Sequence, residues 1–154
     1  MVDTKRRIIL RGVGAAGVLT AAAPVGWIPL AQAIDRNTAA FEAKSTHEAF
    51  KALGISPSES REIQLKAPDI AENGAVVPLE ITSNLPGTES IAVVIDKNPF
   101  PYVGSFDVSK GALPFVALRV KMGETSNVRA VVTAAGKTYS TTKEVKITIG
   151  GCGG

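Results

Sequence analysis

The chain has 154 residues, 45% hydrophobic and 20% charged, a balance that fits one folded domain with short extras and excludes a disordered chain. Its net charge of +3 sits wholly in residues 1–33, where Lys5, Arg6, Arg7 and Arg11 are opposed by Asp3 alone. The neutral remainder rules out a basic nucleic-acid-binding domain, and one Cys with one His excludes a disulfide framework and an all-protein Cys/His zinc site.

Residues 1–33 run in the order basic, apolar, small. Arg6-Arg7 followed by Ile9 and Leu10 predicts a twin-arginine export signal, and Ala31-Gln32-Ala33 supplies the small-x-small pattern for cleavage after Ala33. A membrane span needs about 20 steadily apolar residues. Here Gly12, Gly14, Gly17, Pro24, Gly26 and Pro29 interrupt the run. The mature chain, residues 34–154, is therefore expected in the periplasm. Because twin-arginine export carries folded cargo, co-export with a partner is expected. Cleavage would remove Trp27, the only tryptophan.

Residues 34–60 read as a helical segment. One amphipathic helix is predicted over residues 37–53, with Asn37 or Thr38 as its cap and Gly54 in the left-handed position after it. Phe50 and Leu53 share a face with Ala43 and with Thr46 or His47. Ser56-Pro57-Ser58-Glu59 has a capping-box arrangement that predicts a further short helical turn.

From Arg61 the period switches to two. Ile63, Leu65 and Ala67 alternate with polar residues, as do Val77, Leu79 and Ile81 after the Asn73-Gly74 turn. Residues 91–95 are continuously apolar, as expected of a strand buried on both faces. Further alternation marks Tyr102 to Asp107, Val116 to Lys121, residues 128–135 and residues 138–149, the last two flanking a Gly136-Lys137 turn. Seven short strands without helical crossovers predict an all-β, immunoglobulin-like antiparallel sandwich over residues 61–149. Pro78 cannot donate to a ladder, so its strand is expected at an edge or a bulge.

The last strand runs into Gly150-Gly151-Cys152-Gly153-Gly154. Glycines flank the single thiol on both sides, so the segment gains little from any fixed conformation and keeps bulk away from the sulfur. Three extended residues beyond Ile149 reach roughly 10 Å. This is the pattern of a swinging arm. No Lys or Arg follows Lys146, so activation of the thiol must come from an enzyme whose site it enters. His47, as a base for Cys152, is the weaker reading beside an ordinary helix-face residue. A Gly-Gly terminus also ends the ubiquitin-like sulfur carriers, which use a C-terminal thiocarboxylate, but export separates this chain from the ATP-dependent chemistry that route needs. An idle cysteine and an intermolecular disulfide through Cys152 are the other readings of the tail.

Three stretches carry a resemblance: residues 67–78 (APDIAENGAVVP), Lys97-Asn98-Pro99-Phe100-Pro101, and residues 145–154 (VKITIGGCGG). Together with the twin-arginine signal they resemble the SoxY family, the sulfur carriers of the periplasmic Sox thiosulfate-oxidising system. The resemblance implies a non-enzymatic protein without a cofactor or metal, paired with SoxZ, whose Cys152 holds the sulfur intermediates. It also implies visits to the cytochrome SoxAX, the hydrolase SoxB and, where present, the dehydrogenase SoxCD. The alternative is an exported protein-binding sandwich module whose Cys152 only forms intermolecular disulfides.

Overall fold

Alternating apolar residues build two sheets that hide their inner faces against each other. The computed structural model describes residues 37–148. Two short helices, α1 (Thr38–Glu42) and α2 (Thr46–Leu53), precede nine strands. These are β1 (Ser58–Glu59), β2 (Ile63–Lys66), β3 (Ile70–Ala71), β4 (Val77–Ser83), β5 (Thr88–Ile95), β6 (Tyr102–Asp107), β7 (Phe115–Val120), β8 (Ser126–Ala134) and β9 (Lys137–Ile147). The larger sheet has the order β1-β9-β8-β5-β6, with β3 also paired to β9, and the smaller has the order β2-β4-β7. The longer strands pair antiparallel, whereas β1 and β3 join β9 in parallel. The expected sandwich and its seven main strands are present.

Between the sheets, Val77, Leu79 and Ile81 of β4 meet Ile91, Val93 and Ile95 of β5 and Val128, Ala130 and Val132 of β8. Each Val, Leu or Ile side chain among them, fully removed from water, contributes roughly 1.5–3 kcal/mol of hydrophobic stabilisation. The alternate residues Ala92, Val94 and Val131 point to the outer face of the larger sheet. There they pack with Tyr102 against Ala40, Ala43 and Ala49 of the helical segment. The continuous apolar run of β5 thus reflects burial on both faces, as expected. Phe41 sets its ring edge-on to Tyr102 at 4.7 Å between centroids, and burial pushes the Tyr102 phenol upward from its ordinary value.

The single predicted helix is broken in two. Ser45 caps α2 by accepting from the Glu48 amide at 3.2 Å, while Glu48 Oε2 accepts from the Lys44 amide at 2.8 Å. These bonds satisfy amides that a continuing helix would pair differently, so the chain turns at Ala43. Asn37 caps α1 and Gly54 closes α2 at φ +67°, both as expected. The short turn expected at Ser56-Pro57-Ser58-Glu59 is not helical. Ser58 and Glu59 extend and pair with Tyr139 and Ser140, because an open edge of β9 lies beside them.

Pro78 lies on the central strand of the smaller sheet, yet β2 ends opposite Glu80, so its half of β4 has a neighbour only in β7. The edge expectation holds locally rather than for the strand. The tight turn after β8 falls at Ala135-Gly136, with φ of 48° and 72°, and Lys137 already belongs to β9.

Candidate functional site

The strand β9 crosses the molecule from the Ala135-Gly136 turn to the point where the tail begins. Its neighbour β8 accompanies it from Ala134↔Lys137 to Ser126↔Val145 and stops there. Residues 146–148 would have bare amides if nothing else approached. Three separate groups take those amides instead. Lys146 donates to the Asp69 carbonyl at 3.0 Å and Thr148 to the Ala71 carbonyl at 3.1 Å. From the other side, the Thr125 hydroxyl oxygen accepts from the Ile147 amide at 3.0 Å.

The segment carrying Asp69 and Ala71 is itself held down. Lys143 Nζ lies 3.0 Å from Asp69 Oδ1 and donates to the Ala67 carbonyl at 2.6 Å. Met122 donates its amide to the Gly74 carbonyl at 2.7 Å, and the Asn73 side chain accepts from the Ala75 amide at 2.9 Å. Gly74 fits because it has no side chain. A Cβ there would collide with the Met122 carbonyl oxygen and come within 3.2 Å of Ile147 Cγ2.

Around this end of the sandwich, Ile70 and Val76 are more than half exposed. Phe100, between Pro99 and Pro101, is also half exposed, with Lys44 Nζ 3.5 Å from its ring centroid, while Pro101 beside it is buried. Leu113 and Phe115 are exposed at the opposite end, near the Ala135-Gly136 turn.

Cys152 and the arm glycines Gly150, Gly151, Gly153 and Gly154 lie outside the described residues, as do Arg6, Arg7, Ala31 and Ala33 of the signal. His47 is exposed on α2 and lines a cavity of about 310 Å³ with Lys51, Arg129 and Ser140. Ser140 is seven residues up β9 from Ile147, roughly 23 Å at strand rise. Arg129 is already engaged there: its Nε and Nη2 donate to Asp96 at 2.8 and 2.9 Å. Among the described residues, no three His, Cys, Asp or Glu side chains gather as a metal site. The grip on β9 by Asp69, Ala71, Gly74 and Thr125 was missed in the sequence. Its one visible signal, Asn73-Gly74, reads as an ordinary turn.

The family described as "Sulfur oxidation protein SoxY" matches residues 48–152. The chain belongs to the SoxY family. The match takes in α2 from Glu48 onward, every strand and, at its last residue, Cys152. Among solved structures, the sulfur carrier protein SoxY from Chlorobium limicola f thiosulfatophilum is 44% identical, with a TM-score of 0.59 over 65% of this chain and 92% of that one. A superoxide reductase (neelaredoxin) from Ignicoccus hospitalis has a TM-score of 0.51 at 15% identity, over 57% of this chain and 81% of its own. That second likeness concerns the fold alone. A search of curated proteins gave no match. SoxY membership directs attention to what lies beyond Thr148, since the described part of the chain offers a held strand end rather than a catalytic cluster.

Proposed function

We propose that this chain is a covalent sulfur carrier of the Sox system. On this reading Cys152 is the attachment point and residues 150–154 form the arm that presents it. The observation that carries the reading is the extent of the family match, which ends on the only thiol of the chain. Family membership supplies the chemistry. The thiol joins thiosulfate as an S-thiosulfonate, losing one proton and passing two electrons to the SoxAX cytochrome. Water, delivered at SoxB, then splits off the terminal sulfonate as sulfate plus a proton and leaves a persulfide on Cys152. SoxCD, where present, oxidises the remaining sulfane sulfur. The chain performs none of these steps alone.

Tethering suits such a sequence of reactions, because a bound intermediate meets successive sites without diffusing away. From Thr148 to Cys152 the backbone reaches about 14 Å when extended. The glycines on either side of the sulfur leave the arm thin enough for a narrow channel. Pairing with SoxZ, export by the twin-arginine route and residence in the periplasm belong to the same reading, supported by the sequence of residues 1–33.

Intact mass spectrometry tests it on mature protein from cells consuming thiosulfate, with and without reductant. The expected result is a reductant-sensitive sulfur or thiosulfate adduct on Cys152. A bare thiol, or only a Cys152–Cys152 disulfide under those conditions, overturns the carrier role. Cys152→Ser should abolish thiosulfate-dependent turnover in the reconstituted system. Gly151→Val or Gly153→Val should slow transfer and leave the thermal transition of the sandwich in place; normal turnover by both would contradict the channel argument.

A further inference from the structure

We infer that residues 69–76 act as a strap that fixes where the tail leaves the sandwich, with Gly74 and Thr125 as its positioning residues. The inference rests on the carrier reading for its purpose and on described geometry for its existence.

A strand that outlasts its neighbour frays, because its terminal amides find water as readily as protein. Past Val145, β9 has lost β8, so fraying back from Thr148 is the default. The strap and Thr125 remove that default by taking the amides of Lys146, Ile147 and Thr148 from two sides. Its hold is short-range and leaves little slack: Met122 donates to the Gly74 carbonyl, and the missing Cβ of Gly74 lets the turn lie against the Ile147 side chain. Lys143 adds an ion pair to Asp69 that is largely exposed and adds little to stability by itself. It does, however, draw the strap toward β9.

What this grip controls is length. Cys152 is four residues beyond Thr148 in the sequence, and releasing residues 146–148 would put the thiol seven residues beyond the last held position. Effective concentration falls as about the −3/2 power of linker length, so that release dilutes the thiol at a given site by about twofold. Measured by the volume that a fully extended segment sweeps, the dilution is about fivefold. The strap thus keeps the arm short without shortening its sequence.

The experiment uses the full mature chain with nitroxide labels on Cys152 and on Lys137→Cys, at the opposite end of β9. Pulsed EPR gives the distance distribution between them. Thr125→Val removes the acceptor for the Ile147 amide at nearly constant volume and should broaden the distribution toward shorter distances, with its outer limit in place because residues 146–148 already run extended along β9. It should also speed Ile147 amide exchange at least tenfold. Gly74→Ala should do the same more strongly; should it fail to fold, Thr125→Val still decides. Thr88→Val, which removes a hydroxyl bonded to the Leu85 carbonyl at the far end, controls for general loosening and should leave the distribution unchanged. An unchanged distribution in Thr125→Val, or equal broadening in Thr88→Val, overturns the inference. Neither readout needs sulfur on the thiol, so failure here is distinct from failure of the carrier reading, which shows in the adduct and in Cys152→Ser.

Discussion

Asp96 gathers more polar contacts than any other carboxylate described above. Arg129 donates to both its oxygens, Thr46 donates its hydroxyl to Oδ1 at 2.8 Å, and Asn127 reaches Oδ2 at 3.4 Å. Burial pushes the acid upward as the largest single effect, but the hydrogen bonds from Arg129, Thr46 and Asn127 and the guanidinium charge together bring it below its ordinary 3.8. Arg129 shifts upward in return, chiefly through the same hydrogen bond. A carboxyl lowered in the folded state stabilises fully above its unfolded pKa and loses that stabilisation as pH falls through the folded value. Asp96→Asn should therefore cost on the order of 1–2 kcal/mol above pH 5 and progressively less below about pH 4. Urea titrations of both proteins at several pH values check this, and a constant difference across that range would refute it. Since Thr46 opens α2, the same contacts pin the start of the helix to the end of β5.

At the scale of elements, the Ala135-Gly136 turn joins the two longest strands with two residues in the left-handed region. Glycine occupies that region freely, whereas alanine crowds its Cβ against the backbone at a cost of about 1–2 kcal/mol. Ala135→Asn, which restores the favoured Asn-Gly pair, should raise stability by roughly 0.5–1 kcal/mol and the melting temperature by a few degrees. No gain on thermal unfolding would show the turn to be relaxed already. The strands on either side were legible because each hides one face, and period-two alternation records that directly. The two-residue strands β1 and β3 were not, since so short a segment has no period and their common partner lies about 80 residues away. The break between α1 and α2 was written in the sequence as Ser45-x-x-Glu48. It was masked by apolar residues that keep helical spacing across the break. Most of the hold on the end of β9 was illegible for a related reason: Asp69 and Gly74 act through backbone carbonyls and Thr125 through a hydroxyl, groups far apart in sequence that only the fold brings together.

For the whole molecule, β5 is the shared wall between two apolar interiors. Val93 faces the space between the sheets and Val94 faces the helices, and both are fully buried. Val93→Ala and Val94→Ala are the same chemical deletion on opposite sides of one strand. Each should cost about 1.5–3 kcal/mol from lost burial and the cavity left behind. Only Val94→Ala should selectively speed amide exchange in α2, because only that side chain supports the helical layer. Equal exchange in the two variants would mean that helices and sandwich open as one unit.

The course of β9 has a mechanical side. It runs the length of the sandwich, paired along nine positions to β8 and flanked at either end by β1 and β3. A pull applied to Thr148 along the axis of this strand loads the ladder in shear, and many hydrogen bonds must yield together rather than one after another. On the carrier reading proposed above, withdrawal of the tail from a partner's channel would load β9 along that direction. The strand that ends in the tail is thus attached like a lap joint, strong along the line on which it is tugged.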